Sequence, residues 1–163
     1  FDNFMLRVQA HHHFRHQVLA QPSQATLTGF HARYKYLLMA HSQQLARTMG
    51  RFLASSQQLT TEQRCYEYQL QLMQCLAKHA TRKGHSNALQ HMLGYLRGTV
   101  SADARQLLAK SIEQFRHGHQ PLHVPLGLLH HYAAQLERNY LRQQQYFSPY
   151  PARLYPANRT EHL

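Results

Sequence analysis

Apolar residues recur at helical spacing along almost the whole chain, and helix-start and helix-stop residues punctuate them at the right places. This constrains the fold more than any other feature, because no run of period two survives beside it and no repeat period is visible. The first helix is expected over about Phe4 to Ala20, ended by Gln21-Pro22-Ser23. A second starts after Thr26 or Thr28 as N-cap and runs through FHARYKYLLMAH to about His41, where Ser42 caps a third, QQLARTMGRFLAS. Thr60-Thr61-Glu62-Gln63 has the form of a capping box and opens a fourth helix reaching about Ala80, with Tyr66, Leu70, Met73 and Ala77 on one stripe. A fifth is expected from near His85 to Gly98. The sixth is capped by Ser101 and closed by Gly118, with Leu108, Ile112 and Phe115 on one face. Pro125 suits the first turn of a seventh that continues to about Glu137, and a short eighth spans Tyr140 to Tyr146.

The expected fold is therefore all-α: one compact bundle of about seven to eight helices over residues 1–147, followed by an extended Pro-rich tail over 148–163. A chain of 163 residues buries roughly 70% of its unfolded surface, enough for one core. No apolar run approaches the ~20 residues that span a bilayer. The charged opening Phe1–Ala10 does not have a signal-peptide layout. Phe1 in place of Met suggests an excised domain, a processed chain or a trimmed piece.

Charge narrows the function. Eighteen Lys and Arg face seven carboxylates, for a net charge of +11. No carboxylate lies between Asp2 and Glu62 or between Glu67 and Asp103, yet those gaps hold Arg7, Arg15, Arg33, Lys35, Arg47, Arg51, Lys78, Arg82, Lys83 and Arg97. Solvated faces normally mix both signs, so one-sided stretches point to a polyanionic partner. Nucleic acid is favoured over an acidic membrane surface, since no lipid anchor or separate basic amphipathic helix is present.

The same scarcity argues against autonomous catalysis. Scattered carboxylates leave no acid/base pair, and neither a Gly-x-Ser-x-Gly elbow nor a Gly-rich phosphate loop occurs. Fifteen histidines invite a metal, but His12 and His16 have no neighbouring carboxylate or thiolate and HExxH is absent. Cys65 and Cys75 lie about 15 Å apart along one helix, too far for a disulfide, and two thiols cannot hold an iron–sulfur cluster. Reduced, buried cysteines suit the cytoplasm. No metal, cofactor or catalytic residue is expected in this chain.

Two stretches carry the candidate chemistry. In FHARYKYLLMAH, His31 and Lys35 are i, i+4 neighbours, and Arg33 and Lys35 cannot both be core. In TRKGHSNALQHMLGY, Arg82 and Lys83 precede a helix start, while Asn87, His91 and Tyr95 form an i, i+4 polar stripe. Each has a structural reading as well: a core helix with a basic edge in the first, and buried Asn87 and His91 satisfying loop backbone in the second.

These segments, with HGHQPLHVPLGLLHHY and YLRQQQYFSPYPARL after them, resemble the YbgA-like family, a domain found alone or fused behind thiouracil-desulfidase-type domains. The resemblance covers roughly Val8 to Leu154. It implies a small helical domain that holds RNA, with tRNA as the expected substrate, for a desulfidase whose iron–sulfur cluster and cysteines belong to a fused or separate partner. It supplies no catalytic residues. Phosphate contacts are then expected from Arg33, Lys35, Lys78, Arg82, Lys83 and Arg97, and base contacts from His31, His91, Tyr95 and Tyr146, with His85 and Asn87 beside them. Two alternatives stay open: an enzyme using His31, His85 and His91 on a phosphate or nucleobase, and a module docking a desulfidase or DNA-repair partner through the tail.

Overall fold

Ser23, Ser42, Thr60, Thr81 and Ser101 each accept a hydrogen bond from a backbone N–H three residues on, and so fix the starts of five helices. The structure, a computed structural model, describes residues 3–56, 58–135 and 140–149. Among them are seven α-helices and no strand: α1 (Asn3–Phe14), α2 (Gln24–His41), α3 (Gln43–Ser55), α4 (Thr61–Ala77), α5 (Arg82–Tyr95), α6 (Ala102–Arg116) and α7 (His123–Ala134). A π-helical turn, Arg15–Leu19, carries α1 on to Ala20.

Several helix limits differ from expectation: α4 ends at Ala77 rather than about Ala80, and α5 at Tyr95 rather than Gly98. α2 begins earlier, because Ser23 and Thr26 form a capping box directly after Pro22. α5 also begins earlier, with Thr81 as N-cap, so Arg82 and Lys83 lie inside its first turn rather than ahead of it. Residues Tyr140–Ser148 form successive turns, not an eighth helix: Gln144, Phe147 and Ser148 each bond the carbonyl three residues back. The tail beyond Pro149 and the stretch from Leu136 to Asn139 lie outside the described residues.

Helix α2 is the axis of the bundle. It packs on α3, α4 and α5, and its segment Tyr36–His41 is buried on every side, as expected of a central helix. Beside it Phe14, Phe30, Tyr34 and Tyr68 form an aromatic cluster, with Phe30 stacked on Tyr34 at 4.3 Å and edge-on to Phe14 at 5.2 Å. Helix α4 faces this core with Cys65, Tyr68, Leu72, Cys75 and Leu76. The stripe read from sequence is thus on the wrong side: Tyr66 and Leu70 are 61% and 50% exposed, because α4 touches α1, α2 and α3 through the neighbouring face. Both cysteines are free and buried, and burial pushes the Cys75 thiol up to about 12.

Histidines bind the elements together. His13 of α1 shares a hydrogen bond with the Tyr34 hydroxyl at 2.8 Å, and His31 of α2 does so with Tyr68 of α4 at 2.9 Å. His85 of α5 pairs with Tyr146 of the C-terminal segment at 2.6 Å. His41 donates from Nδ1 to the Lys78 carbonyl at the end of α4. The C-terminal segment is further strapped to α2: the Tyr140 hydroxyl and Gln144 amide donate to the Ala32 carbonyl, and the Gln145 backbone donates to Arg33.

Candidate functional site

The face of α3 that carries Gln43, Arg47, Gly50, Arg51 and Ala54 is free of large apolar residues, so it cannot close fully against α2. A groove of about 620 Å³ results, lined also by His31, Lys35 and Met39 of α2, His91 of α5, and Tyr140. That volume suits a ligand the size of a nucleotide. The floor is apolar and small, through Ala32, Met39, Ala46 and Gly50, while Lys35, Arg47 and Arg51 are exposed at its edges. No carboxylate lines it among the described residues. Among the described residues the only ion pairs are those of Glu113 with Arg116 and His117, and no groove cation has a salt bridge to any described residue.

His31 is held in the groove wall by the Tyr68 hydroxyl on Nδ1. Its Nε2 stands 3.5 Å from where a Cβ on Gly50 would be, an ordinary van der Waals distance, so this nitrogen lies against α3 at Gly50. Burial, aided by the Lys35 charge, lowers the His31 pKa to about 4, which makes it a neutral hydrogen-bonding group rather than a cation. At one end of the groove Tyr140 meets Tyr95 and Tyr36 at 5.5 and 6.2 Å, and the Tyr95 ring is half exposed.

Of the residues expected from sequence, His31, Lys35 and His91 converge here, and Tyr95 flanks them through Tyr140. The polar stripe of α5 marks an edge of the site: Asn87 lines a smaller hollow, His91 the groove, and Tyr95 the aromatic end. Arg33 lies in a different hollow and donates to Gln17 at 3.1 Å. Lys78 and Arg97 are exposed beyond the ends of α4 and α5, away from the groove. His85 and Tyr146 are corrected outright: both are buried, Tyr146 completely, and they bond each other, so neither is available to stack on a base.

Arg82 has a structural partner instead of an open one. Its guanidinium donates to the Phe115 carbonyl at 2.7 Å, near the C-terminus of α6, and sits 5.0 Å over the Phe115 ring. Arg82→Ala is expected to lower stability by about 1–2 kcal/mol in urea titrations while leaving any affinity of the groove unchanged.

Sequence reading counted Arg47 and Arg51 among the cations of a carboxylate-free stretch but not as site residues, and it missed Tyr140. The first two carried a usable signal, the i, i+4 row Gln43–Arg47–Arg51, whereas Tyr140 reaches the groove only through a contact 108 residues away in sequence. Among the described residues no group of three or more His, Cys, Asp and Glu is placed to hold a metal, and no helix is long and apolar enough to cross a membrane.

Comparison with known proteins gives a family. The uncharacterized protein YbgA of Escherichia coli (strain K12) is 32% identical over 151 residues, which cover 92% of this chain and 89% of the relative. No solved structure matches. The profile of the protein family of unknown function DUF1722 matches residues 35–151, so the groove, the smaller hollow and the strapped C-terminal segment all fall largely within it, and the chain belongs to that family.

Proposed function

We propose that this chain is an RNA-binding accessory domain, one that grips an unpaired stretch of strand in the groove between α2, α3 and α5. The observation that carries the reading is the groove's charge pattern: Lys35, Arg47 and Arg51 edge an apolar floor with no carboxylate beside them among the described residues. Exposed cations left without counter-charges suit phosphates, which release bound ions on contact. The floor and Tyr140 offer a face for a base, while neutral His31 and exposed His91 offer hydrogen bonds to its edge.

The finer part of the proposal is that the strand belongs to thiolated tRNA and that the domain presents it to a desulfidase. That part rests on the resemblance to domains fused behind thiouracil-desulfidase-type enzymes. Any iron–sulfur cluster would then sit in the catalytic partner.

Filter binding of tRNA and of short single-stranded RNA tests the RNA part. With three phosphates held, log affinity is expected to fall with log salt at a slope of roughly −2, about 20-fold between 50 and 200 mM. Arg47→Glu and Arg51→Glu are each expected to weaken binding by at least about tenfold. Affinity that ignores salt, or that survives both charge reversals, defeats the proposal.

A further inference from the structure

Helices α3 and α5 begin side by side. Their N-caps, Ser42 and Thr81, both line a hollow of about 250 Å³ next to the groove, which shares Met39 and Gln43 with it. The cap hydroxyls are occupied by the N–H groups of Leu45 and Gly84. The first amides of each helix, at Gln43 and Gln44 and at Arg82 and Lys83, have no carbonyl within their own helix to bond. Two positive helix ends thus meet at one place, with Lys83 beside them and no carboxylate in the wall among the described residues.

Among the described residues, two side chains there each have one polar atom without a partner. Asn87 lines the hollow, and its Nδ2 is buried without an acceptor. His41, only 8% exposed, also forms part of the wall, and its Nε2 is buried without any partner. Its Nδ1 faces the Lys78 carbonyl, which can only accept, so Nδ1 carries the proton and neutral His41 presents a lone pair at Nε2. Buried polar groups are normally bonded, and an amide donor and an imidazole acceptor in one wall together suit a ligand that has both acceptor oxygens and a proton to share.

We propose that this hollow is a site for a phosphate monoester. Its oxygens accept from the helix-end amides, Asn87 Nδ2 and Lys83. Its remaining hydroxyl proton, with a pKa of about 6, is shared with His41 Nε2 and stays on the phosphate, because a buried imidazole resists taking charge. A phosphodiester has acceptor oxygens but no such proton, so the site distinguishes a strand's end from its interior. The inference deepens the RNA reading and rests on it for one of two sources, the terminal phosphate of an RNA lying in the adjacent groove. The other source is a small phosphate-bearing molecule.

The test compares one short single-stranded RNA with and without a 5′-phosphate, and adds inorganic phosphate alone in thermal melts at fixed ionic strength. The terminal phosphate is expected to tighten binding at least tenfold. Asn87→Leu and Lys83→Ala should each abolish that gain, and Arg47→Glu should weaken both RNAs while keeping their ratio. If RNA does not bind at all, the groove reading fails and the melts decide the hollow alone: inorganic phosphate should raise the Tm of the native chain and not of Asn87→Leu. A gain with RNA identifies the strand end as source, and a Tm rise without one identifies a small ligand. Neither a gain nor a rise, or effects that persist in both folded variants, overturns the site.

Discussion

Gly84→Ala is expected to lose about 3 kcal/mol or more of stability, lowering Tm by roughly 6–12 °C, although alanine is normally the better helix residue. A Cβ at Gly84 would stand 2.1 Å from the Ala40 carbonyl oxygen and 3.1 Å from its carbon. The obstacle is the backbone of the central helix, which has no rotamer to change. The α2–α5 crossing would have to open by more than 1 Å, drawing Ala88, Leu89 and Met92 away from the α2 side chains they cover. Gly29→Ala is the control. It lies within α2 with nothing within 4 Å of the new methyl, so it should stabilise by roughly 0.5–1 kcal/mol. Equal, small effects of the two substitutions in thermal melts would contradict the tight crossing.

The same glycine shows which parts of this fold can be read from sequence. Local chemistry was legible: Ser42, Thr60 and Ser101 cap the helices they were expected to cap, and Gly118 closes α6 with a φ of +83°. Gly84 was hidden, because its purpose is a contact with Ala40, 44 residues earlier along the chain by their numbering. Thr81 was passed over for a related reason: Arg82-Lys83-Gly84 looks like a loop until the α2 crossing demands glycine inside a helix.

The candidate groove follows the same division. His31, Lys35 and His91 could be chosen by residue type, since their surroundings lacked carboxylates. Which face of α4 was buried could not, and neither could the partners of Arg82 or His85. His85 and Tyr146 are polar in the sequence and core in the fold because each satisfies the other across 61 residues. The abundance of histidine, which first suggests metal, is explained in part by four imidazoles tied between elements of the bundle.

Those four histidines give the second large expectation, a chain that loses stability in mild acid. Burial is the leading cause of a lowered pKa at His13, His31, His41 and His85, and it takes His31 and His85 to about 4. Unfolded, each would take up a proton near 6.5, so below that pH the unfolded state binds more protons than the folded one. Their contribution is fully present above about 6.5 and is lost as pH falls toward 4. By pH 4.5 this amounts to roughly 2–3 kcal/mol for each of His31 and His85. Ordinary acid unfolding protonates paired carboxylates, but this chain has seven carboxylates in all, and among the described residues only Glu113 is ion-paired. The loss should therefore centre near pH 5 to 6, well above the carboxylate range. Urea midpoints measured at steps from pH 7.5 to 4.5 will show it as a steep decline that flattens above about 7. His85→Phe should lower stability at neutral pH and make the decline shallower, since one titrating imidazole is gone. A stability flat from pH 7.5 to 4.5, or a His85→Phe chain with an unchanged slope, would mean that these imidazoles are not held neutral in the bundle. At the alkaline end the sign reverses in the same way. Burial raises Tyr34, Tyr36, Tyr68 and Tyr146, so the folded chain keeps protons that the unfolded chain gives up, and stability should fall again above about pH 10.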